Sequence, residues 1–86
     1  MSISSKALTI DGTAVKIAEA NGMPLEVHLH CASGSVYLGD STVTTTTGFK
    51  FDNGDKETFT VPDGSALWGV CNGGTTSTVY VLTAIL

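Results

Sequence analysis

Two histidines and two cysteines carry the side-chain chemistry best suited to neutral pH in this 86-residue chain, and three of the four are clustered. His28, His30 and Cys31 share one stretch, and Cys71 lies far along the chain. Together they form the donor set of a structural zinc site. The spacing opposes that use. Leu25, Val27, Leu29 and Cys31 alternate with Glu26, His28 and His30, the period of an extended strand. Such a strand puts both imidazoles on one face and the Cys31 sulfur on the other. The turn-based C-x₂-C spacing of zinc sites is absent. A nucleophilic Cys–His pair fails for the same reason, because the imidazole must stand beside the sulfur. The expectation is no metal and no cofactor, with His28 and His30 facing solvent or a partner.

Cys31 and Cys71 would form a disulfide if their strands pair or face one another. The opening MSISSKALTID has no apolar segment behind basic residues, so a secretory signal is not expected. Folding in a cytoplasm is then expected, with two reduced, buried thiols acting as small apolar side chains. The carboxylates Asp52, Asp55, Glu57 and Asp63 sit in or beside turns. Asp52-Asn53-Gly54-Asp55 lacks the spaced ligands and terminal glutamate of a calcium loop. Gly34-Ser35 and Gly73-Gly74 lack the lysine and following helix of a phosphate cradle. With no convergent polar set, the chain does not read as an enzyme. Tyr37 and Trp68 are candidate aromatic anchors for a protein or a sugar, although a single tryptophan in an apolar strand is more often core.

The elements that must position these residues read as sheet throughout. Leu8 and Ile10 alternate up to Asp11-Gly12, and residues 1–5 read as a flexible arm ahead of a single domain over 6–86. Val15 to Ala18 fits a strand, with a helix as the competing reading because Ala14, Val15, Ile17 and Ala18 also suit a 3.6-residue period. Leu25–Cys31 is the clearest strand. Ser33-Gly34 then predicts a tight turn and a hairpin returning through Val36 and Leu38. The Thr-rich stretch from Gly39 to Gly48 is an exposed strand or an ordered loop. The spacer from Asp40 to Asp52 is long for a hairpin, which predicts a crossover between sheets there. Further strands follow around Phe49–Phe51, Phe59–Val61, Ala66–Cys71 and Ser77–Leu86. Seven or eight short strands at this spacing predict an all-β domain, a small antiparallel β-sandwich or a jelly-roll-like barrel.

Charged residues are 14% of the chain, well below the usual share, and the net charge is −4 with four lysines and no arginine. Nucleic acid and anionic membrane surfaces are disfavoured as partners, since both are held by Lys/Arg clusters. No apolar run approaches the length of a membrane-spanning helix. A weakly charged, Thr-rich surface packs readily on neighbours, which predicts assembly. The run TVYVL has strong β-propensity and no charge, so it is expected to be a central strand or to be covered by a neighbouring subunit.

Several short runs, taken in order, resemble small β-domains of tailed-bacteriophage virions. They are Gly34-Ser35-Val36-Tyr37-Leu38-Gly39, Val43-Thr44-Thr45, Gly48-Phe49, the stretch from Gly54 to Val61, Asp63-Gly64, Ala66-Leu67-Trp68-Gly69-Val70 and Thr78-Val79-Tyr80-Val81-Leu82. The likeness spans roughly Thr13 to the C-terminus. Each motif is short, and the specificity lies in their order and spacing. Trp68 stands where the pattern often has tyrosine, and His28, His30, Cys31 and Cys71 also depart from it. The resemblance implies a non-enzymatic virion protein, assembled in a host cytoplasm. A capsid decoration (cementing) protein, commonly a homotrimer on the major capsid protein or another virion protein, comes first. A head-fibre, tail or baseplate adaptor of the same fold is the alternative, and a small carbohydrate-binding module using Trp68 or Tyr37 is a rival from another class. No active site comes with the resemblance. The expected interface residues are Ile3, with the arm ordering on the capsid, and the aromatic anchors Tyr37 and Trp68.

Overall fold

The computed structural model describes residues 3–85, and every regular element among them is a strand. The eight are β1 (Ile3–Ile10), β2 (Val15–Glu19), β3 (Leu25–Cys31), β4 (Ser35–Gly39), β5 (Phe49–Asp52), β6 (Lys56–Val61), β7 (Ala66–Val70) and β8 (Ser77–Ile85). They form two four-stranded antiparallel sheets, sheet A in the order β1-β8-β3-β6 and sheet B in the order β2-β7-β4-β5. The pairs β1·β8, β2·β7, β3·β6 and β4·β5 are those of one long hairpin. Its tip is the loop between β4 and β5, and its rolling onto itself adds the β3·β8 and β4·β7 pairs. This is the jelly-roll connection of a β-sandwich.

The core lies between the sheets. Ile10, Val27, Leu29, Cys31, Val79 and Val81 come from sheet A, and they meet Ile17, Val36, Leu38 and Phe51 of sheet B. Gly69 lets the layers close. A Cβ at that position would stand 3.0 Å from Ile17 Cδ1 and Val36 Cγ1 and 3.1 Å from Ile10 Cδ1. The ambiguous segment Val15–Ala18 is a strand with a bulge. Lys16 pairs with Trp68 and Ala18 with Leu67, leaving Ile17 as the extra residue. The bulge turns two successive residues, Ile17 and Ala18, inward, and two adjacent buried positions mimic a helical period. The Thr-rich segment is an ordered loop. The Asp40 carboxylate accepts from the Thr42 amide (2.9 Å) and hydroxyl (2.7 Å), bonds that hold its carboxyl below the usual range. Val43 is buried, touching the positions of Gly39 and Gly48.

Three local expectations are corrected. Ser33-Gly34 does not close a hairpin: β3 belongs to sheet A and β4 to sheet B, so the turn carries the chain between layers. The long spacer before Asp52 is not a crossover, because β4 and β5 are neighbours in sheet B, with Ser35↔Asp52 through Leu38↔Phe49 in register. Ile3, Ser4 and Ser5 are not a free arm. They extend β1 and pair with Ala84, Thr83 and Leu82, while Met1 and Ser2 lie outside the described residues. Small polar side chains offer no face to bury, but the backbone ladder needs none, and β8 presents a matching edge.

Candidate functional site

The strand period separates the two histidines from Cys31 as expected. His28 and His30 lie on the outer face of β3, and Cys31 is fully buried on its inner face. His28 has a partner at each ring nitrogen: Glu26 Oε1 lies 2.8 Å from Nε2 and Thr58 Oγ1 lies 2.9 Å from Nδ1. The His30 ring stacks on Tyr80 at a centroid distance of 6.1 Å and an interplanar angle of 26°. Among the described residues no three His, Cys, Asp or Glu side chains gather as metal ligands.

Cys31 and Cys71 are free thiols buried at one end of the core. The Cys71 sulfur lies 3.3 Å from the Ile10 carbonyl oxygen and 3.2 Å from the Ser77 hydroxyl, which in turn donates to the Ser35 carbonyl at 3.2 Å. The Cys31 sulfur lies 3.4 Å and 3.5 Å from the carbonyl oxygens of Ser33 and Gly34. Burial pushes the Cys31 thiol above its ordinary pKa, and the neighbouring Cys71 adds to the shift. A buried thiol held in its protonated form is a poor nucleophile. We therefore expect an aromatic disulfide reagent at pH 8 to label neither cysteine of the native protein, and to label both in guanidinium. Fast labelling of the folded chain would contradict this burial.

The outer face of sheet A is a grid fixed by strand register. One row across β6, β3, β8 and β1 is Lys56, His30, Tyr80 and Ala7, the next is Thr58, His28, Leu82 and Ser5, and the third is Thr60, Glu26, Ala84 and Ile3. The grid has two halves. The β6–β3 half is polar and contains both histidines, whereas the β8–β1 half is largely apolar. Of the large apolar side chains that remain exposed, Ile3 (68%), Tyr80 (52%) and Leu82 (40%) belong to this face. A shallow groove of about 690 Å³ crosses it, lined by Ala7, His28, His30, Lys56, Tyr80 and Leu82 among others. Where exposed apolar side chains adjoin and are rimmed by polar residues, the face is a candidate interaction surface.

The three expected interface residues do not come together. Ile3 lies on sheet A, as above. Tyr37 and Trp68 are half-buried on the outer face of sheet B, on the adjacent strands β4 and β7, where Tyr37 pairs with Val70 and Trp68 with Gly39. Trp68 is therefore not in the main core. The Lys16 ammonium stands 5.8 Å from its ring centroid and also pairs with Glu19 at 3.3 Å. Tyr80 and Leu82 were not singled out as contact residues from sequence. The available signal was the alternation of TVYVL itself, in which Tyr80 and Leu82 share the face opposite Val79 and Val81. β8 is a central strand of its sheet, lying between β1 and β3.

No family model matches the chain, and no curated protein matches it. Among solved structures, a protein of Bacillus endospore appendages, described as "a novel family of disulfide-linked pili", is similar over 99% of this chain and 86% of its own. The TM-score is 0.61 at 18% sequence identity, a likeness of fold.

Proposed function

We propose that this chain is a non-enzymatic structural module of a repeating assembly. In the reading we favour it is a capsid decoration protein of a tailed phage, docking on the major capsid protein or another virion protein. The observation that carries this reading is the exposed apolar half of sheet A, built from Ile3, Tyr80 and Leu82 on a domain whose core is already filled. The sparse charge of the chain supports it, and the ordered sequence motifs supply the phage context. Modest contacts suffice on a shell that presents many copies of the docking site. Homo-oligomers, trimers by the resemblance, are part of the proposal. The test is sedimentation of the purified protein with empty phage capsids. Co-sedimentation at a fixed stoichiometry supports decoration, and a protein that stays in the supernatant removes it, leaving the tail and baseplate adaptors of the same fold.

The fold likeness to the endospore-appendage protein favours a second reading, a subunit of a fibrous appendage. Cys31 and Cys71 are both buried, so disulfide links between subunits would require one end of the core to open. Electron microscopy of concentrated, oxidised protein decides this reading: filaments that dissolve on reduction support it, and their absence removes it. The carbohydrate-binding rival is tested by tryptophan fluorescence, since a sugar stacking on Trp68 would displace Lys16 and change the emission.

A further inference from the structure

From the register of sheet A, we propose that its outer face binds a second copy of itself, face to face, about a two-fold axis. This goes beyond the structural-module reading and does not depend on it. The pairing competes with capsid docking for the same face of sheet A, and a two-fold pair departs from the trimer that the sequence resemblance implies. Place the axis in the plane of the face, at right angles to the strands and over the row Thr58–His28–Leu82–Ser5. Each strand then lies antiparallel over its own image, close to the aligned geometry of packed sheets. The row Lys56–His30–Tyr80–Ala7 of one copy covers the row Thr60–Glu26–Ala84–Ile3 of the other.

The two rows are complementary at three of their four columns. The large Tyr80 meets the small Ala84, and the small Ala7 meets the large Ile3, so the surfaces interdigitate. In the β3 column His30 meets Glu26, whose Oε1 accepts from the His28 ring, and Lys56 lies one column away over Thr60, within reach of the same carboxylate. On the axis Leu82 meets Leu82, closing the apolar half. Because every contact occurs twice, the pairing is isologous and closes at two copies without propagating. The groove that crosses each face, lined by Ala7, Tyr80 and Leu82, is covered by Ile3 and Leu82 of the other copy. The four strands and the length of β3 span about 450 Å² in projection. That is less than the roughly 800 Å² per partner of a standard interface, so the dimer is weak and forms at high local concentration. The outer face of sheet B, with Tyr37 and Trp68, remains free for other contacts.

Sedimentation equilibrium up to about 1 mM protein, together with thermal melts, tests the pairing. The expected mass rises with concentration towards twice the 8.8 kDa of the chain. Leu82→Glu places two carboxylates together on the axis and should keep the protein monomeric throughout, with an unchanged melting temperature because Leu82 faces outward. Glu26→Lys alone, and His30→Glu with Lys56→Glu in a second variant, should each lower the dimer fraction at least tenfold through like-charge contacts. Mixing the two variants should restore a heterodimer, since each then offers the charge the other lacks. A wild type that stays monomeric to the highest concentration, a trimer, or a dimer indifferent to Leu82→Glu overturns the proposal. So does failure of the mixture to re-associate. Loss of capsid binding by Leu82→Glu in a wild type that is itself monomeric would assign the face to a capsid protein instead. A dimer that ignores capsids would leave this inference standing and remove the decoration reading.

Discussion

Replacing Gly34 with valine is expected to destabilise the domain by about 3–5 kcal/mol, a large part of the roughly 4–13 kcal/mol expected for a chain of this size. Two effects add. Gly34 has φ of 66°, a left-handed conformation in which a β-branched side chain is strained. A Cβ there would also stand 2.5 Å from Ser77 Oγ and 3.3 Å from the Thr76 carbonyl oxygen. Ser77 cannot move aside freely. It is 2% exposed, its hydroxyl donates to the Ser35 carbonyl, and it is the neighbour of the Cys71 thiol. Displacing it would leave buried polar groups unpaired at the point where the chain passes from sheet A to sheet B. Gly64→Ala is the control. Its φ of 85° is equally left-handed but nothing lies within 4 Å, so only the backbone term of about 1–2 kcal/mol applies. Guanidinium unfolding followed by circular dichroism measures both. Equal losses in the two variants would show that the Ser77 contact adds nothing.

The second large effect separates the two ends of β1. Ile10→Ala is expected to lower stability by about 2–5 kcal/mol, while Ile3→Ala changes it by less than about 0.5 kcal/mol. Both residues are isoleucines of the same strand, each paired with β8, as Ile10↔Ser77 and Ile3↔Ala84. Ile10 is fully buried and its Cδ1 lies against the position of Gly69 between the two sheets. Truncation there opens a cavity that the surrounding Ile17 and Val36 cannot fill without moving the layers. Ile3 is exposed, and its side chain has no such surroundings. The same pair of variants separates folding from association: Ile3→Ala should weaken the pairing of sheet A faces with no shift of the melting temperature. A large loss of stability from Ile3→Ala would mean that this end of the strand is packed.

Much of the fold was legible because period-two alternation is a local property. Val27, Leu29 and Cys31 pointed inward and His28 and His30 outward for a reason contained in one strand, and the same alternation opposes a shared zinc site or a Cys–His pair on that strand. The Val15–Ala18 ambiguity came from the bulge at Ile17, which breaks the alternation by one residue. Candidate contact residues were less legible. Trp68 is conspicuous by type, yet it sits half-buried under Lys16, whereas Tyr80 and Leu82 became visible as a surface only when β1 and β3 were placed on either side of them.

The sequence by itself determined that this is one small all-β domain, which face of most strands is apolar, where the chain turns, and that both thiols are buried. Alternation and turn chemistry act over a few residues, so they survive without knowledge of the fold. Only the tertiary structure decided which strand pairs with which. The inward faces of both sheets are equally apolar, so a turn such as Ser33-Gly34 suits a hairpin and a change of layer alike. The rolled hairpin resolves it by pairing strands far apart in sequence, β1 with β8 and β2 with β7. The same long-range pairing drew Ile3–Ser5 into sheet A. It also set His30 beside Tyr80 and Glu26 beside Ala84, the register from which the candidate surface is built.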